Sequence, residues 1–233
     1  MIVRVEAQPE AVEIDVRRTA VIVVDMQNDF GADGGMFARA GMDISPIRAV
    51  VQPIQKVLEA TRRAGIPTIY LKMGYHDDLS DAGSPDAPSW IKHSKSDLRI
   101  GDAMKAPDGR SGRILVRDTW NTDIVDELRP VAGDTVVYKT RYSGFYKTNL
   151  HEVLQEKRIK HLIVVGCTTG VCVESTIRDA MFRDYHCLLL ADCTAEPGRK
   201  NFPNAVHEAS LAIIQARFGW VTPSENLVKS LTD

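Results

Sequence analysis

Three residues of unlike chemistry stand where apolar runs end. Asp25 closes TAVIVVD, Lys139 closes TVVYK, and Cys172 follows HLIVVG at the opening of a helical stretch. A carboxylate accepts and returns a proton, a lysine beside it keeps it ionised, and a deprotonated thiol is a nucleophile. At a helix N-terminus the dipole lowers a thiol pKa from its free value of about 8.5, which predicts an available thiolate near neutral pH. Amides of the same turn would serve as oxyanion donors. Taken singly, each residue has a plain structural reading: Asp25 as a turn cap, Lys139 as a snorkelling surface lysine, Cys172 as a buried helix residue. Their convergence would favour catalysis, and convergence depends on the fold.

Short runs rich in Val, Ile and Leu alternate with longer stretches of helical period. That pattern predicts an α/β domain, a three-layer α/β/α sandwich around a mostly parallel six-stranded sheet. Strands are expected at 19–25, 68–73, 135–139, 161–166 and 187–192, with a sixth at Trp220 and Val221. The first is too continuously apolar to be half exposed and belongs at the sheet centre. Helices are expected over 46–64, 149–158, 171–185 and 203–217. Asn149 and Glu152 suit a capping box, and Glu174 and Arg178 an i,i+4 pair. Ligands of open parallel sheets lie outside the carboxyl ends of the strands, so Asp25, Lys139 and Cys172 should meet at one edge. Residues 74–113 hold no sustained period but many Gly, Pro, Ser and Asp. They read as a long irregular excursion, a lid or subunit contact, with Trp90 and Trp120 as walls.

The whole chain, 1–233, reads as one domain, with 44% hydrophobic and 26% charged residues. Its 29 Lys+Arg against 31 Asp+Glu, net charge -2, leave no basic field for nucleic acid or anionic lipid, so neither is an expected partner. No apolar run approaches the roughly 18 to 20 residues of a membrane span. Charged residues from Arg4 to Arg18 occupy the place of a signal peptide's apolar stretch, which predicts a cytoplasmic protein. The four cysteines, Cys167, Cys172, Cys187 and Cys193, suit a reducing compartment. They include no C-x-x-C pair, which argues against a redox couple of Cys167 with Cys172. No histidine pair stands at ligand spacing, and no metal or other cofactor is expected.

The segments VDMQNDF at 24–30 and VVGCTTGVCVESTIRDA at 164–180, with Lys139 after a β-rich run, resemble the isochorismatase-like cysteine hydrolases. The resemblance implies that Asp25, Lys139 and Cys172 form a catalytic triad and that a cis peptide joins Cys167 to Thr168. It also implies an oxyanion hole from the amides of Thr168 and Cys172, and a homo-oligomer, dimer or tetramer, with sites near subunit contacts. The exposed-looking Trp90, Trp120 and Trp220 point the same way. Nicotinamidases of this superfamily bind a metal through an Asp and two His after the second strand. Here only His76 stands in that region. A nucleophilic cysteine favours amide over vinyl-ether hydrolysis.

Within the superfamily, KTRYSGFYKTNL at 139–150, FGWV at 218–221 and PEAVEID near the start resemble the ureidoacrylate amidohydrolases. This implies attack on a ureido or carbamoyl carbonyl through a covalent thioester, with Asn28, Phe30, Tyr75, Arg141, Tyr142, Phe145 and Gln215 around the substrate. Arg141 would meet a substrate carboxylate or else pair with a neighbouring acid. Met36, Met73, Tyr75 and Gly170 depart from that group's pattern, while Gln215 and GRIL at 112–115 are closer to biuret hydrolases. The expected substrate is a ureidoacrylate-type ureido acid, with biuret or triuret as the alternative and a non-catalytic binding protein on the same fold as the second alternative.

Overall fold

In the computed structural model, which describes residues 1–93, 98–198 and 204–232, the run Thr19–Val24 is buried along its entire length. Only a strand covered on both faces can be that apolar throughout. The strands are β1 (Ile2–Val5), β2 (Val12–Asp15), β3 (Thr19–Val24), β4 (Thr68–Met73), β5 (Ala103–Lys105), β6 (Ser111–Arg113), β7 (Thr135–Lys139), β8 (His161–Cys167), β9 (His186–Ala195) and β10 (Trp220–Thr222). The helices are α1 (Asn28–Gly31), α2 (Met36–Arg39), α3 (Ser45–Ala49), α4 (Val51–Arg63), α5 (Pro88–His93), α6 (Leu150–Glu156), α7 (Glu174–Met181), α8 (Ala205–Ile213) and α9 (Ser224–Thr232).

The central sheet has the order β10-β9-β8-β3-β4-β7, and all five pairings are parallel. Alternate residues of its strands feed two cores. Val21, Val23, Ile163 and Leu188 pack with Ile54, Val57 and Leu227 of α4 and α9, while Ile22, Val24 and Val164 pack with Leu150, Leu154 and Ile177 of α6 and α7. Gly166 lies where β8 crosses closest to β3. Its φ is +115°, and a Cβ there would stand 2.1 Å from the Val24 carbonyl oxygen, so no larger residue fits.

The expected helix over 46–64 is two helices meeting at Val50. Pro53, in the first turn of α4, has no N–H for the Ala49 carbonyl and its ring crowds that group. The capping box at Asn149 does not form: its side chain makes no cap bond, and Thr148 Oγ1 accepts from Leu150 N at 3.2 Å instead. The Glu174–Arg178 pair is present at 2.8 Å. Helix 171–185 opens two residues earlier, in a π-helical turn Thr169–Val173, and α8 closes in another, Ile214–Phe218. Residue 203, where that last helix was expected to start, lies outside the described residues.

Two segments differ more. The excursion 74–113 is not wholly irregular, since it holds α5 and the β5–β6 hairpin, elements too short to show a period. The charged N-terminus folds into the β1–β2 hairpin. Trp120 is 9% exposed, and Trp90 and Trp220 pack against the core, so the three tryptophans do not form the exposed surface expected of them. Phe182, 67% exposed, and Ile2, 66% exposed, carry more of the open apolar area.

Candidate active site

The carboxyl ends of β3, β7 and β8 bring the three candidate side chains to one point. Asp25, the residue after β3, has φ +50°, a left-handed conformation that Asp tolerates better than most residues, and its N–H donates to Leu71 O at 2.9 Å. Lys139 ends β7 opposite Met73 of β4. Two strand spacings, about 9.5 Å, separate β7 from β3, and the lysine side chain spans that gap. Its Nζ lies 2.7 Å from Asp25 Oδ2, 3.4 Å from Cys172 Sγ and 3.3 Å from Arg141 O, with Lys139 and Asp25 both fully buried. Cys172 is the fourth residue of the π-helical turn that follows β8 and is 7% exposed. The Cys167–Thr168 peptide is cis, as the resemblance implied.

Burial dominates the electrostatics. It raises the Asp25 carboxyl, against the opposing pull of Lys139 and Cys172. It also acts to lower Lys139, but the charges of Asp25 and Cys172 outweigh it and hold the ammonium above its usual range. The Cys172 thiol is raised by burial and by Asp25, with Lys139 opposing. Desolvation of a nearly enclosed sulfur thus works against the low-pKa thiolate that the helix terminus suggested.

Asp25 and Cys172 line a cavity of about 140 Å³, with Lys139 behind them in contact with both. Phe30, Tyr142 and Thr168 line it as expected, joined by Phe37, Met42, Val171, Glu196 and Pro197, which sequence reasoning missed. Phe30 and Phe37 meet with ring centroids 4.7 Å apart. Glu196 lies beyond the last expected residue of its strand, and nothing local marks it. Asp29, also missed, is fully buried. It accepts from Met36 N at 3.0 Å, Leu115 N at 2.8 Å and Asn121 Nδ2 at 2.6 Å, fastening the loops on either side of Phe30 and Phe37. Burial pushes its carboxyl up to about 7, against those three bonds. Gln27 clips the end of β4, donating to Met73 O at 2.9 Å and accepting from Met73 N at 2.8 Å.

The other expected contacts stand off this cavity. Asn28 Nδ2 donates to Trp120 O at 2.8 Å, and Phe145 stacks on Tyr185 in the core. Tyr75 is fully buried, its hydroxyl without a partner among the described residues; burial raises it to about 12, with Arg141 and Lys139 opposing. Arg141 forms no ion pair among the described residues. Its guanidinium donates to Thr140 O at 2.6 Å, lies over Tyr146, and lines a neighbouring cavity of about 670 Å³ with Arg117 and Lys147. Gln215 is at the opposite edge of the sheet, in a cavity with His186 and Trp220, the first residues of β9 and β10. His76 Nε2 stands 3.5 Å from Asp81, and among the described residues no three His, Cys, Asp or Glu side chains gather as a metal site requires.

The model of the isochorismatase domain family matches residues 19–226. Ureidoacrylate amidohydrolase RutB of Caulobacter segnis is 42% identical over 220 residues, 94% of this chain and 88% of that protein. The RutB of Agrobacterium fabrum is 40% identical over 215 residues, 92% and 90% of the two chains. Among solved structures, a cysteine hydrolase from Pseudomonas syringae pv. phaseolicola superposes with a TM-score of 0.77 at 32% identity, covering 94% of both chains. N-carbamoylsarcosine amidase from Thermoplasma acidophilum gives a TM-score of 0.61 at 28% identity, over 89% of this chain and 97% of that one.

Proposed function

The chain belongs to the isochorismatase family, and from that membership we propose that it is a cysteine amidohydrolase of ureido acids, with ureidoacrylate or a close analogue as its substrate. One observation carries the chemistry: Lys139 Nζ touches both the Asp25 carboxylate and the Cys172 sulfur, which line a cavity of small-molecule size. Asp25 takes the thiol proton as the sulfur adds to the ureido carbonyl carbon, and the amides of Thr168 and Cys172 receive the oxyanion. The C–N bond then breaks, with the departing nitrogen taking the proton from Asp25. A carbamoyl thioester remains on Cys172. Water, deprotonated by Asp25, attacks it, releasing carbamate and restoring the thiol. Lys139 keeps Asp25 ionised while the charge moves.

The substrate carboxylate belongs to Arg141 in this reading, and the guanidinium must turn away from Thr140 O and Tyr146 to meet it. Biuret and triuret lose support because Gln215, which favoured them, lies at the other edge of the sheet. A homo-oligomer, dimer or tetramer, fits the exposure of Phe182 and Ile213, and four free buried cysteines suit the cytoplasm.

The test is a side-by-side comparison of kcat/KM on ureidoacrylate or a stable ureido-acid analogue, biuret, triuret, N-carbamoyl amino acids and nicotinamide. The ureido acid should rank first. Arg141→Ala should lower its rate about tenfold or more, the loss of one charge-assisted hydrogen bond. Preference for biuret or triuret together with indifference to Arg141→Ala refutes the substrate assignment and leaves the triad standing.

A further inference from the structure

The turn that carries Cys172 has backbone bonds of its own, Glu174 N–H donating to the Thr169 carbonyl among them. Both Val171 N and Val173 N donate to the same Thr168 carbonyl, each at 3.2 Å, the long end of the hydrogen-bond range. A π-helical turn is rare, and side chains from neighbouring elements support this one. The proton transfer asked of it is exacting, because Cys172 Sγ must stay within reach of Asp25 and Lys139.

That support comes from one side of the molecule. Thr169, fully buried, shares a hydrogen bond at 2.9 Å between its Oγ1 and His207 Nδ1 on α8. The next residue, Gly170, donates its N–H to Glu196 Oε1 at 2.5 Å, just past β9. A Cβ on Gly170 would stand 2.4 Å from Val206 Cγ1 and 3.0 Å from Ser210 Oγ, both on α8. Helix and turn thus touch with no room for a side chain.

We propose that His207 and Glu196 are positioning residues for the nucleophile, gripping Thr169 and Gly170 so that Cys172 faces Asp25, with Gly170 as the opening that admits α8. The inference rests on the reading of Cys172 as nucleophile. His207 is not among the residues lining the cavity of Asp25 and Cys172 and reaches the turn through its hydrogen bond to Thr169.

The test uses Thr169→Val, His207→Leu, their double variant, and His207→Asn, whose amide can occupy the place of Nδ1. Steady-state constants are measured on the best substrate of the panel, melting temperature reports folding, and iodoacetamide alkylation of Cys172 is timed near neutral pH. Alkylation needs no substrate, so this arm stands even where the ureido-acid assignment fails. Thr169→Val and His207→Leu should each lower kcat about tenfold with KM little changed, and slow alkylation comparably, because the sulfur loses its proton acceptor. The double variant should be no worse than the poorer single one, since both remove the same bond, and His207→Asn should restore most of the rate. Should His207→Leu fail to fold, the nearly isosteric Thr169→Val carries the test. Wild-type kcat in Thr169→Val, an alkylation rate unchanged or raised, or multiplying effects in the double variant each overturn the proposal.

Discussion

Replacing Lys139 by Met removes a cation from a fully buried ion pair and leaves a carboxylate with no counter-charge. The wild-type contact is 2.7 Å with neither partner exposed. Breaking such a pair by removing one member destabilises by about 3 to 5 kcal/mol, or about 6 to 20 °C in melting temperature for a chain of this size. The loss must depend on pH. Burial already raises Asp25 above its usual 3.8, and Lys139 is the leading force against that rise. Without it the folded-state carboxyl titrates higher still. An acid raised on folding contributes stability fully present below its unfolded value and lost as pH rises through its folded value. Lys139→Met should therefore fall little short of wild type near pH 5 and far short near pH 8, in chemical denaturation followed at both. Taking the difference from wild type at each pH cancels every other titrating group. Catalysis should drop about 10²- to 10⁴-fold, the usual worth of a general base, because Asp25 then holds a proton when it must accept one. Adding Asp25→Asn should recover much of the stability near pH 8 and none of the activity. A destabilisation equal at both pH values, or one that the second substitution deepens, would refute the account of the pair.

Cys172→Ser should abolish turnover while calorimetry still detects substrate binding; a wild-type rate is incompatible with covalent catalysis. Because burial raises the Cys172 thiol, its alkylation by iodoacetamide should keep accelerating as pH rises beyond the free-thiol value of about 8.5. A rate already level near neutral pH would mean a resting thiolate after all. Asp29→Asn offers one acceptor oxygen where the carboxylate offers two to three donors, so an orphaned donor should destabilise by about 1 to 3 kcal/mol. The Asp29 carboxyl is raised to about 7, so its share of stability disappears as pH climbs from about 4 towards 7, and the variant should flatten the stability profile across that window. An unchanged profile would show that Asp29 is ionised throughout.

The strands and the meeting of Asp25, Lys139 and Cys172 were legible because their signals are local. Thr19–Val24 and His161–Cys167 are continuous apolar runs, and a polar residue at the end of a parallel strand has only one edge of the sheet on which to appear. Phe37, Met42 and Glu196 reach the cavity along loops whose paths depend on distant partners, such as the Asp29 bonds to Leu115 and Asn121. Arg141 and Gln215 stood at plausible positions in the chain but point to other cavities. The desolvation that acts on the thiol was hidden for a similar reason: a helix terminus is visible in a sequence, whereas the depth at which it is buried is not.

The strand order has a consequence for how long the site persists. Asp25 follows a central strand, but Lys139 rides on β7, the last in the order, paired only with β4 and five residues long. Margins of a sheet open more often than its interior, at a free-energy cost well below that of global unfolding. Each such excursion withdraws the ammonium by a strand's width while the rest of the parallel sheet stays closed. The lifetime of the competent state is therefore set at the sheet's border, and heat should silence the chemistry before it disturbs the spectrum of the folded chain.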